Sequence, residues 1–222
     1  MPRVGERWTA AALRRVPGLM VGLVLCGVAI AMMAQANLGL GPWEAFHQGI
    51  SRQTGIPLGT VSILFGVPIL LAWLPLGQRP GPGTILNIIT VGTATNVAMA
   101  VLPVPADLPY RLALMAGGVV MMGIATGLYL SADLGPGPRD GLMTGVHHRF
   151  GWSIARARTV IEVTVLVAGF LLGGTIGLGT IVFAFGIGPV VQASLRVCDP
   201  EGRVMRRRRE EQVDPMLAEG AA

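Results

Sequence analysis

Residues 36–45 read "ANLGLGPWEA" and residues 132–141 read "ADLGPGPRDG". Both phrases interrupt long apolar stretches with glycine, proline and charge. An offset of 96 residues lays one on the other: Ala36, Leu38, Gly39, Gly41 and Pro42 fall on Ala132, Leu134, Gly135, Gly137 and Pro138. Asn37 falls on Asp133, and Glu44 on Asp140. The same register, without a gap, carries Gly22 and Gly27 onto Gly118 and Gly123, and Gly49, Gly55 and Gly77 onto Gly145, Gly151 and Gly173. It also lays "GPGTI" (81–85) on "GLGTI" (177–181). A register held over this distance reads as an internal repeat.

Composition decides the setting of that repeat. The 222 residues are 52% hydrophobic and only 13% charged, with mean hydropathy +0.62. Soluble domains carry roughly 25% charge, and apolar runs near 20 residues are long enough for a bilayer core of about 30 Å. An integral membrane protein is expected, with the lipid bilayer as its first partner. The net charge of +5 sits between and beyond the apolar runs, so it belongs to membrane topology rather than to nucleic acid. All the basic residues are arginine, and Cys26 and Cys198 have no disulfide or metal spacing.

Six spans are expected, at roughly Val16–Ala34, Leu58–Pro75, Thr84–Leu102, Leu112–Leu130, Ala157–Leu172 and Gly177–Leu195. The first follows four arginines and ends "AMMAQA", but it is longer than a signal-peptide core of about 7–15 residues, and it takes part in the repeat. With the N-terminus inside, all arginines except Arg52 and Arg111 fall in cytoplasmic segments, as the positive-inside rule requires. The expected plan is therefore an N-terminal cytoplasmic segment (1–15), a first repeat (16–103), a second repeat (104–197) and a basic, disordered cytoplasmic tail (198–222). Each repeat holds three spans. An odd number forces the halves to insert in opposite orientations, giving the inverted-topology architecture on which many secondary transporters are built.

The repeated phrase reads as a break between two helices. Gly41-Pro42 and Gly137-Pro138 have the order of an N-cap followed by the first helical residue. Glu44 and Asp140 then fall at the third helical position, where a carboxylate suits the positive end of the helix dipole. Gly39 and Gly135 lie where a departing helix needs positive φ. Each new helix runs about 12 residues, to Gly55 or Gly151. At 1.5 Å per residue that is about 18 Å, too short to span. It either rests in the interface or dips inward as a re-entrant half-helix. A dipping helix aims its N-terminal N–H groups at the interior, where they bind anions. The competing reading is a capped connector.

Glu162 is the other anomaly, about five residues inside the fifth expected span. An ionisable group at depth usually marks a functional site, but Arg158 one turn earlier offers a structural partner. Asn87 and Asn96 are expected to hold helices together. His147 and His148 are expected at a wet surface and make a poor metal site. The candidate solute or ion site is therefore Asn37, Gly39, Gly41, Pro42, Trp43 and Glu44 of the first phrase, Asp133, Gly135, Gly137, Pro138, Arg139 and Asp140 of the second, and Glu162. Arg139, Asp140 and Glu162 are expected to share one polar cavity. No nucleophile–base set or phosphate loop is present, so neither an enzyme nor a cofactor is expected.

On these residues the chain resembles the bacterial YczE/YyaS/YitT-like membrane proteins. The resemblance rests on "ANLGLGPWE", on "GLYLSADLGPGPRDGLM" (127–143), on "RTVIE" (158–162), and on "GGTIGLGT" followed by "GIGP" (186–189). It covers most of residues 16–195 and implies a multi-pass bacterial inner-membrane protein. The first motif has Trp-Glu where such proteins often have Trp-Asp, so the carboxylate is kept. Three functions are expected to compete. One is a secondary transporter or permease for a small solute or ion; a second is a membrane-embedded regulatory or interaction protein; a third is the substrate-binding component of a larger importer, which would need partner chains. A homo-oligomer is compatible with the first two.

Overall fold

A computed structural model describes residues 14–199 and Gly202. The expectations for the 1–15 segment and the 198–222 tail fall, apart from Arg14, Arg15, Cys198, Asp199 and Gly202, outside the described residues. Among the described residues the chain is all helical, with no strands. The helices are α1 (Val16–Ala36), α2 (Pro42–Thr54), α3 (Leu58–Trp73), α4 (Pro82–Val101), α5 (Leu108–Ser131), α6 (Pro138–Phe150), α7 (Ile154–Leu171) and α8 (Leu178–Cys198).

Four of these, α1, α4, α5 and α8, are long and apolar enough to cross a membrane. The pair α2–α3, bent by 112° at its break, makes a fifth when taken as one span. With 16 residues α3 reaches only about 24 Å. α7 carries Arg156, Arg158 and Glu162 within its 18 residues, which sets it apart from the four apolar spans.

Both helix breaks form where the phrases predict. Gly41 and Gly137 are N-caps in extended conformation, and Pro42 and Pro138 open α2 and α6. Each short helix is 13 residues long and ends at a left-handed glycine, Gly55 or Gly151. One detail differs from the sequence reading. The long helices are already closed before the glycines, with Asn37 at φ 49° and Asp133 at φ 51° turning the chain. Asn and Asp tolerate that region better than other non-glycine residues. Gly39 and Gly135, at φ 120° and 128°, then shape the return of the chain.

The core is the antiparallel pair α1–α5, flanked by α4 on α1 and α8 on α5. Small residues permit the approach, as is common between membrane helices. A Cβ on Gly22 would stand 2.9 Å from Tyr129 N, and one on Gly118 would stand 2.7 Å from Met33 Cγ. These two contacts are equivalent under the 96-residue offset. The same holds for Gly27 against Ala94 and Gly123 against Val190. It holds for two loop bonds as well: Gly83 donates its N–H to Leu134 O at 3.0 Å, and Gly179 donates to Leu38 O at 2.8 Å.

The equivalence fails at α3 and α7. α3 packs on α4 through Gly59 and Gly92, and Asn96 ties the two by accepting from Gly59 N–H at 2.8 Å and donating to Thr60 Oγ1 at 2.8 Å. This is the helix-holding role expected of Asn96. Gly188, the counterpart of Gly92, has nothing within 4 Å of where its Cβ would be. α7 instead lies on α2: a Cβ on Gly169 would be 2.7 Å from Phe46 N. The counterpart of Gly169 is Trp73, fully buried against Gly141 of α6. A tryptophan therefore stands between α3 and α6 where α7 and α2 meet backbone to backbone.

Candidate functional site

The starts of α2 and α6 converge. Glu44 sits at the third position of α2, and its side chain is 3% exposed. Arg139, second residue of α6, reaches across and donates from Nη1 to Glu44 Oε1 at 2.5 Å, its own side chain 31% exposed. The guanidinium carbon also lies 5.3 Å from the centroid of the Trp43 ring, a cation–π distance. One phrase thus supplies the carboxylate and the aromatic face, and the other supplies the cation.

Glu44 Oε2 lies 2.7 Å from where a Cβ on Gly41 would stand, and the ring of Phe183 of α8 lies 2.8 Å from the same point. Two helix N-termini meet at the pair, each carrying a partial positive charge of roughly half a unit. Glu44 and Asp140 stand against those termini. Tyr129 holds Asp140 in place, its hydroxyl donating to Oδ2 at 3.1 Å. Trp73 holds the start of α6 from the other side, Nε1 donating to Pro138 O at 3.0 Å.

Two buried polar atoms around the pair have no hydrogen-bond partner: Trp43 Nε1 and His47 Nε2. Their residues are 6% and 3% exposed. An N–H or ring nitrogen left unpaired away from water costs about 1–3 kcal/mol. His47 is one turn along α2 from Glu44 and is enclosed by the rings of Trp43, Phe46 and Phe65 at centroid distances of 5.8–6.4 Å.

The far end of α2 is tied to the connection between α7 and α8. Arg52 donates to Gly173 O at 2.5 Å and to Thr175 Oγ1 at 2.9 Å. Gln53 donates to Leu172 O at 3.2 Å, and Gln48 Oε1 accepts from Thr175 N at 2.7 Å. The offset partner of Gln48 in α6, Thr144, turns back to Asp140 O of its own helix.

Of the residues singled out from sequence, Gly41, Pro42, Trp43, Glu44, Gly137, Pro138, Arg139 and Asp140 meet at this junction. Asn37 lies at the end of α1, where its carbonyl and that of Ala36 accept from Arg111 at 2.6 and 2.8 Å. Asn37, Gly39, Asp133 and Gly135 shape the chain around the junction and supply none of its charge pair. Glu162 accepts from Arg158 Nε at 2.9 Å within α7, the structural partner one turn away that the sequence offers. His147 is also corrected: it is buried, with Nδ1 2.5 Å from Trp152 O, while His148 is exposed. His47 went unremarked in the sequence. The signal was available: a histidine one turn from a carboxylate, on the same face of a short helix.

Residues 13–196 match a family of unknown function, DUF6198. The chain belongs to this family. An uncharacterized protein of Haemophilus influenzae is 40% identical over 190 residues, covering 86% of this chain and 87% of that protein. The uncharacterized membrane protein YczE of Bacillus subtilis is 32% identical over 177 residues, covering 78% and 82%. The uncharacterized protein YyaS of the same organism is 26% identical over 167 residues, covering 72% and 82%. No solved structure matches. The resemblance to YczE- and YyaS-like proteins read from the phrases is thus met by relatives spanning most of the chain. With its apolar helices, this DUF6198 member is a membrane protein.

Proposed function

We propose that this protein is a secondary transporter or permease for a small solute, with its site where the starts of α2 and α6 meet. The observation that carries the reading is the Glu44–Arg139 pair: a buried carboxylate and a guanidinium from the starts of two different short helices. Charged groups buried among membrane helices are costly and are retained for solute or ion pathways. Discontinuous helices whose N-termini meet at mid-membrane are the recurrent construction of transporter sites.

In this reading six segments cross a bacterial inner membrane, with α3 and α7 as the shorter crossings. Residues 16–103 and 104–197 form two inverted halves, and both termini are cytoplasmic. The contacts at Gly22/Gly118, Gly27/Gly123 and Gly83/Gly179, equivalent under the 96-residue offset, support the repeat. The unequal seating of α3 and α7 supports alternating access. α7 rests on α2 while α3 rests on α4, and exchanging the two arrangements opens the junction to the opposite side. Such bistable packing is how small shifts become large ones.

The test is solute uptake into proteoliposomes containing the purified full chain, screened across small anionic, zwitterionic, neutral and cationic compounds. Saturable uptake of one compound class, lost in Arg139→Lys, supports the reading. Uptake of none, with the protein shown to be folded and correctly inserted, favours a regulatory or interaction role instead.

A further inference from the structure

The junction of α2 and α6 has a specific chemistry, and this inference rests on reading it as the solute site. We propose that it binds a small oxyanion, a carboxylate or an inorganic oxyanion, and that Glu44 is a built-in placeholder for that anion. The arriving anion takes Arg139, and the Glu44 carboxylate turns to His47.

Four observations converge on this assignment. Among the described residues Arg139 is the cation paired with Glu44, and its planar fork of donors matches an oxyanion in two-point contact. Its partner in the present structure is an oxyanion of the protein itself, Glu44, held at 2.5 Å. The ring of Trp43 lies under that guanidinium, and its buried Nε1–H donates to nothing. An oxyanion seated on Arg139 beside this ring accepts that hydrogen and removes the unpaired donor. Finally, His47 Nε2 is buried and unpartnered, one turn from Glu44 on the same helix. As the neutral tautomer protonated at Nε2, it donates to the displaced carboxylate. The exchange forms and breaks no covalent bond. It pairs two buried polar atoms that are unpaired now, and leaves Glu44 and Arg139 each with a partner.

The surroundings favour an anion over a cation. The N-termini of two 13-residue helices add partial positive charge. Asp140, the other carboxylate, is engaged by Tyr129. A cation would have to take Glu44 from Arg139 and leave that guanidinium without a partner. An oxyanion keeps a counter-charge on Arg139 and leaves Glu44 hydrogen-bonded to His47.

The experiment uses the purified full chain in detergent micelles, titrated with acetate, inorganic phosphate and sulfate against a chloride background of constant ionic strength. Melting temperature and tryptophan fluorescence are read together. The wild type should bind at least one probe saturably. Preference for acetate assigns an organic carboxylate, and preference for phosphate or sulfate assigns an inorganic oxyanion. Glu44→Gln removes the internal competitor and should bind the same probe at least tenfold more tightly. Arg139→Lys keeps the charge, loses the fork, and should bind at least tenfold more weakly. Trp43→Phe keeps the ring, loses the donor, and should bind about fivefold more weakly. The proposal is overturned if none of the probes binds to either wild type or Glu44→Gln, if Glu44→Gln binds more weakly than wild type, or if Arg139→Lys leaves affinity unchanged. Oxyanion binding without flux in proteoliposomes would overturn the transport reading and leave this site standing. Flux of a neutral or cationic solute without oxyanion binding would do the reverse.

Discussion

Removing Arg139 while Glu44 remains strands a carboxylate whose side chain is 3% exposed. Breaking a buried pair from one side costs roughly 3–5 kcal/mol, because the remaining charge is uncompensated. Removing Glu44 strands a guanidinium that is 31% exposed and sits on a flexible stem able to reach polar surroundings. That loss should fall between the surface and buried limits, about 1–2 kcal/mol. The two single changes are therefore unequal, with Arg139→Gln the worse. The double change Glu44→Gln, Arg139→Gln strands neither charge, so it should cost about 2–3 kcal/mol less than the sum of the singles. For a chain of this size, a loss of 1 kcal/mol lowers a melting midpoint by roughly 2–4 °C. Arg139→Gln should accordingly melt about 6–20 °C below wild type, and Glu44→Gln about 2–8 °C below. The assay is thermal unfolding of all four proteins in one detergent and a chloride buffer free of oxyanions. Equal losses from the singles, or losses additive to within about 0.5 kcal/mol, would show that the two side chains do not compensate one another and would refute the buried pair.

Three further outcomes follow from particular residues. Reporter fusions at both ends should be active on the cytoplasmic side; a periplasmic C-terminus would contradict six crossings and the inverted halves together. The Glu162–Arg158 pair lies within one helix, with side chains 31% and 58% exposed, so Glu162→Gln should change stability by no more than about 0.5 kcal/mol and leave uptake intact. A Cβ at Gly169 has the Phe46 backbone 2.7 Å away, so Gly169→Val should cost about 1–3 kcal/mol through overpacking, while Gly188→Ala, with open space around it, should be neutral or slightly stabilising. Comparable midpoints for those two variants would remove the unequal seating of α3 and α7.

What could be read from the sequence was local. Gly-Pro opened each short helix, a carboxylate followed two residues after the proline, and a glycine closed it; each signal acts within a turn or two of itself. The family resemblance rested on the same phrases. What stayed hidden was contact across the halves. Adjacency and span position, which are visible in a string, group Arg139 with its chain neighbour Asp140 and with Glu162. Its partner is Glu44, 95 residues away, and that pairing exists only because α2 and α6 turn their starts toward each other. His47 is hidden in the sequence for a similar reason. Its burial comes from Phe65 of α3 as well as from Trp43 and Phe46 of its own helix, and single-sequence patterning does not report which neighbouring helix covers a face. The unequal packing of α3 and α7 is likewise absent from the 96-residue register, since Trp73 and Gly169 occupy equivalent positions and do opposite things there.

The central claim is that a solute passes through the Glu44–Arg139 junction. Its most direct test is uptake by proteoliposomes holding wild type and Arg139→Lys at matched density and orientation, screened over the same set of small solutes. The account predicts saturable accumulation of one oxyanion-bearing solute by wild type, reduced at least tenfold in Arg139→Lys, with the variant still folded and inserted. Accumulation that is equal in the two proteins, or absent from both, would contradict it.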